Sequence, residues 1–180
     1  MSTVKRTTLC AMCIALCYVL PIAFHSVGLG GILSPMHIPV LLCGLVCGGV
    51  PGLICGALGP CLSSLLSGMP PAMMLLRMIP ELCVYGLVSG LMTKVRTGKT
   101  IIDVYICLII AMLAGRISGG IASAVFYTVT TGVYSFGLWL TSYFVEAVPG
   151  ILVHLVLVPL LYAALLRAHV LPGRYVHAEN

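Results

Sequence analysis

Charge is the scarcest property of this sequence. Of 180 residues, nine are Lys or Arg and four are Asp or Glu, 7% in all, against 61% hydrophobic. The shortage of acids excludes most catalytic designs. Asp103 is the lone aspartate and Glu179 stands in the tail, so the paired aspartates of an intramembrane protease cannot be assembled. The basic residues stand singly between apolar segments rather than as a patch, which argues against nucleic acid and for positive-inside membrane topology. Metal motifs are missing too. Cys10-Ala-Met-Cys13 has CxxC spacing, but no second ligand pair or histidine follows at zinc-finger distance. Most of the nine cysteines lie within apolar segments, where cysteine behaves as a small hydrophobe. A phosphate-binding loop is absent: Gly98-Lys99-Thr100 resembles its end, yet Thr93 stands where the motif needs glycine. No enzyme, and no cofactor held by this chain, is expected.

What remains is apolar helix. So much hydrophobic surface cannot be hidden in a soluble domain of this size, so the chain reads as an all-α integral membrane protein. At roughly 20 residues per span its length suits six transmembrane helices in one domain, residues 1–180. The spans are placed at about 7–24, 36–49, 52–67, 72–92, 101–126 and 148–166. Basic residues fall before the first span (Lys5, Arg6), after the fourth (Lys94, Arg96, Lys99) and after the last (Arg167, Arg174), which puts both termini in the cytoplasm. The first apolar run lacks a small-residue cleavage site and is expected to be a retained helix rather than a signal peptide. Residues 127–144, rich in Tyr, Thr, Gly and Phe and holding the only tryptophan, Trp139, read as an interfacial loop with some helix allowed in it.

The organising stretch is 34–81. No charged residue lies between His37 and Arg77, and the run is broken by glycine and proline at 48–52 and 68–71. A helix start at Pro35 capped by Ser34 and a start near His37 with Pro39 in its first turn are both compatible with the sequence. The second and third spans are short, which implies tilt or local thinning of the bilayer.

Small residues recur four apart: Ala11 and Ala15; Gly52, Gly56 and Pro60; Ala111, Gly115, Gly119 and Ser123. Such stripes let helices approach closely. Ionisable residues within apolar helices mark a site, because desolvating them is costly. They are Arg77, Glu81, Arg116 and Glu146, and Gly120, Ser123 and Tyr127 share a helical face with Arg116. An arginine fork suits a carboxylate or phosphate. The structural alternative is mutual pairing, Arg77 with Glu81 and Arg116 with Glu146. His25 and His37, beside the first outer loop, read as interfacial.

In order along the chain, Ala11-x-x-x-Ala15, Pro35-Met-His-Ile-Pro39, Gly68-Met-Pro-Pro71, Glu81-Leu-x-x-Tyr85-Gly86 and Pro149-Gly-Ile-Leu152 with Pro159 make up a pattern. It resembles the substrate-binding S component of energy-coupling factor (ECF) vitamin transporters, over nearly the whole chain. The resemblance implies a subunit of the cell membrane that binds a vitamin and does not hydrolyse ATP. Its implied partners are a transmembrane coupling subunit, docked at Ala11 and Ala15, and two ATP-binding subunits. The implied pocket opens at the outer face and holds Arg77, Glu81, Arg116, Gly120, Ser123, Tyr127 and Glu146, with pantothenate or another carboxylated vitamin favoured by the arginines. Cobalt and nickel binders of that family begin Met-His, whereas this chain begins Met1-Ser2, so a metal substrate is not expected. A solitary secondary transporter and a ligand-free structural subunit are the competing readings.

Overall fold

In lipid an apolar chain must close its backbone hydrogen bonds locally, and every regular element among the described residues is helical. The structure is a computed structural model. It describes residues 2–26, 28, 30–94, 100–130 and 135–171. The helices are α1 (Thr3–Ser26), α2 (Gly30–Leu33), α3 (His37–Cys47), α4 (Gly49–Ser67), α5 (Ala72–Met92), α6 (Thr100–Thr130), α7 (Phe136–Leu140) and α8 (Val148–Arg167), with a π-helical turn over Thr141–Val145. Five stretches, 3–26, 49–67, 72–92, 100–130 and 141–167, are long and apolar enough to cross a membrane. Arg96, Gly98, Lys99, Arg174 and Glu179 lie outside the described residues.

The sixth apolar helix differs in kind. At eleven residues α3 is about 16 Å long, roughly half the hydrocarbon thickness. All eleven residues are buried, and the helix touches α1, α4, α5, α6 and α8. The tilt or thinning expected from its length is therefore not needed, because protein rather than lipid surrounds it. It starts at His37 with Pro39 in the first turn, where the missing N–H costs nothing. It ends at Gly48, whose φ of 96° is open to glycine and strained for other residues. Arg6 stands beside that end, and its carbonyl accepts from the Cys47 thiol at 3.7 Å, so a cation faces the negative pole of α3.

Around α3 the helices meet at small residues. The inner face of α1 is Cys10, Cys13, Cys17 and Pro21; the Cys10 thiol donates to the Pro51 carbonyl (3.6 Å) and the Cys17 thiol to the Met36 carbonyl (3.8 Å). All nine cysteines are free thiols. Ala11 and Ala15 lie on the opposite, exposed face of α1. Helices α4 and α5 touch backbone to backbone: a Cβ on Gly52 would collide with the Gly86 carbonyl, and one on Gly86 with that of Gly52. The stripe on α6 packs against α5, with Gly115 under the Tyr85 ring. Gly86→Val is accordingly expected to wedge α4 from α5 and remove most folded, monodisperse protein from a size-exclusion profile. An unchanged profile would show that this contact is not tight. Residues 127–130, the start of the stretch expected to be a partly helical loop, continue α6.

Candidate functional site

A cavity of about 430 Å³ lies at the N-terminal end of α3, a volume at the small end of the range for ligand sites. Its walls include Pro21 and His25 near the C-terminal end of α1, so it sits at the opposite end of the bundle from Lys5 and Arg6. Residues 34–37, the Met69-Pro70-Pro71 loop, the first half of α5, Arg116 and the π-helical turn complete it. The loop is held shut against α4 by hydroxyls: Ser63 donates to the Met69 carbonyl and Ser64 to that of Pro70, both at 2.8 Å. At the N-terminus of α3 the His37 and Ile38 amides are spent on the Ser34 and Pro35 carbonyls, and Pro39 has none to give.

Three of the residues marked from sequence line the cavity: Arg77, Glu81 and Arg116. They do not pair as the structural alternative required. Arg77, half-buried at the rim, donates from Nη1 to the Tyr127 hydroxyl (3.1 Å), with its guanidinium over the Tyr127 ring at 5.0 Å. Although Arg77 and Glu81 are one turn apart, the Glu81 carboxylate turns inward. Its Oε1 accepts from the Tyr85 hydroxyl at 2.8 Å and lies 3.8 Å from His37 Nε2. Arg116 is only 6% exposed and, among the described residues, is paired with no acid. It donates from Nη1 to the Tyr143 carbonyl, while its Nε has no hydrogen-bond partner. Tyr143 itself is anchored, through its hydroxyl, to Ser123 Oγ (2.8 Å) and the Gly119 carbonyl (3.1 Å).

The remaining marked residues support these three or stand apart. Ser123 positions Tyr143 and Tyr127 positions Arg77. Gly120 gives room to the Trp139 indole, which a Cβ there would strike. Glu146 is exposed at the end of the π-helical turn and does not line the cavity.

Histidine is where the sequence reading is corrected. His37 is 7% exposed and belongs to the cavity floor, not to an interface. Its Nδ1 lies 3.1 Å from the Ser34 carbonyl, and His154 Nε2 lies 3.2 Å from the same oxygen. A carbonyl only accepts, so both nitrogens carry hydrogen there. The two imidazoles stack at 5.4 Å, and Tyr85 meets His37 edge-on at 5.2 Å. His154, which the sequence reading passed over, is 1% exposed on α8; it does not line the cavity but backs its floor, stacked on His37. The rule applied to Arg116, an ionisable group inside an apolar helix, points to it equally.

The site thus presents a buried guanidinium without an acidic partner among the described residues and, in the same cavity, a buried carboxylate. Among the described residues no group of three His, Cys, Asp or Glu is placed to hold a metal ion. A family model described as "ECF transporter, substrate-specific component" matches residues 5–162. Neither the curated proteins nor the solved structures give a match.

Proposed function

The chain belongs to the substrate-specific components of ECF transporters, a transporter family rather than an enzyme family, and from that membership we propose that it captures an anionic vitamin or vitamin-like micronutrient for import. The ligand's carboxylate or phosphate sits against Arg116 in the cavity, and pantothenate is the size and charge of molecule meant. The observation that carries this reading is Arg116 itself: 6% exposed, lining the cavity, without an acidic partner and with its Nε unbonded. A cation left unneutralised in a membrane-embedded domain favours an anion from outside the chain. Arg77 at the rim adds a second positive charge to the entry path. In this reading six helical segments, α3 included, form the membrane domain of a cell-membrane protein, with both termini cytoplasmic and the cavity opening outward. Lys5, Arg6 and Lys94 support that orientation.

Energy comes from partners: a transmembrane coupling subunit and two ATP-binding subunits. Ala11 and Ala15 support this, because a small-residue stripe exposed on α1 is unused by the fold itself. The direct test is purification from the membrane, with mass spectrometry of both the bound small molecule and the co-purifying chains. A solitary secondary transporter would arrive without the ATP-binding subunits. Ala15→Trp is expected to abolish co-purification of the coupling subunit and uptake while leaving ligand affinity within about twofold, since the indole adds bulk only to the outer face of α1. Survival of uptake in that variant would make the alanines ordinary lipid-facing residues.

A further inference from the structure

The cavity contains a second polar group whose bonding is incomplete. Glu81 is 7% exposed, and its Oε1 is occupied by Tyr85 and faced by His37, but Oε2 has no hydrogen-bond partner among the described residues. Oε2 is not sealed in the protein: the fully buried, unpartnered side-chain polar atoms among the described residues come to Arg116 Nε alone. Gly119 is what leaves Oε2 its space, since a Cβ at that position would stand 2.9 Å from it. The neighbouring donors are turned elsewhere. His37 Nδ1 and His154 Nε2 point to the Ser34 carbonyl, and the Tyr143 hydroxyl is engaged with Ser123 and the Gly119 carbonyl.

An ionised carboxylate is an acceptor only, with room for about four hydrogen bonds. A ligand that fills the cavity excludes water from Oε2, and an acceptor sealed there without a donor is costly. Arg116, one turn from Gly119 on α6, presents the complementary vacancy of a donor. We propose, building on the reading of Arg116 as the anion site, that the ligand is bifunctional. Its anionic group meets Arg116, and a second group, an O–H or N–H, donates to Glu81 Oε2. The pair makes the site selective in two ways. An acid without a donor leaves Oε2 unsatisfied, and a diacid would set a second carboxylate against Glu81.

The test uses the full chain, purified in detergent or lipid nanodiscs, with equilibrium titration and thermal shift against five probes. Pantothenate and biotin carry a carboxylate and O–H or N–H donors; lipoate and nicotinate carry a carboxylate and no donor at neutral pH; pyridoxine carries hydroxyls and no carboxylate. A donor-bearing acid is expected to bind roughly tenfold to a hundredfold more tightly than either donor-free acid. Glu81→Gln is expected to remove most of that difference. Tyr85 holds the amide oxygen, so the amide N–H₂ is left facing the ligand's donor. Equal binding of lipoate or nicotinate, or unchanged affinity in a folded Glu81→Gln protein, overturns the role of Glu81 and leaves the anion site standing. Binding of pyridoxine alone, or of none of the five, overturns both.

Discussion

Arg116→Ala is expected to weaken binding of the anionic ligand by roughly tenfold to a hundredfold with the fold retained. Hydrogen bonds to charged groups contribute about 1.5–3 kcal/mol each, and about 1.4 kcal/mol is a factor of ten. The fold should survive because the one bond lost, Arg116 Nη1 to the Tyr143 carbonyl, is not the only anchor of the π-helical turn. The Tyr143 hydroxyl still holds Ser123 and the Gly119 carbonyl. Removing an unpaired buried cation also leaves no orphaned acid behind, unlike the breaking of a buried ion pair. Arg116→Lys should fall between wild type and alanine, since the ammonium keeps the charge but cannot present two parallel donors to a carboxylate. The measurement is calorimetric titration with the ligand identified from the purified protein. Unchanged affinity in folded Arg116→Ala would falsify the anion site and make the cavity a different kind of pocket.

Much of the fold was legible because the relevant physics is local or compositional. Scarcity of charge places the chain in a membrane, and the membrane restricts it to helices. The breaks at Gly48 and Gly68 are legible because a positive φ is a property of one residue. What hydropathy cannot separate is lipid from protein, since both are apolar surroundings. Nothing in the sequence of α3 distinguishes a short lipid-facing span from a helix buried on every side, and only packing decides it. The same ambiguity hid the cavity floor. Once α3 is central, its first residue, His37, is central too, though in sequence it sits beside an outer loop. The spacing of Arg77 and Glu81 suggested a pair, yet spacing does not fix direction. Tyr127 from α6 claims the arginine, while Tyr85 and His37 claim the carboxylate.

Tyr85→Phe is the change expected to cost the site most stability for the loss of a single atom. The ring is 1% exposed, fills the notch over Gly115 and meets His37 edge-on, and phenylalanine keeps all of that packing. What disappears is the 2.8 Å hydrogen bond to Glu81 Oε1. The carboxylate is then left buried with no hydrogen bond from the protein, only His37 Nε2 at 3.8 Å. The expected loss is about 1.5–3 kcal/mol, which for a chain of this size lowers the thermal midpoint by roughly 3–12 °C. In a Glu81→Gln background the acceptor is a neutral amide, whose hydrogen bonds contribute about 0.5–1.5 kcal/mol, so the same substitution should cost roughly a third to a half as much. The two single variants and the double variant close a cycle read by thermal unfolding of the purified protein without ligand. Equal losses in both backgrounds would mean that the contribution of the Tyr85 hydroxyl does not run through the charge on Glu81 and that the carboxylate is held ready for its ligand by other groups.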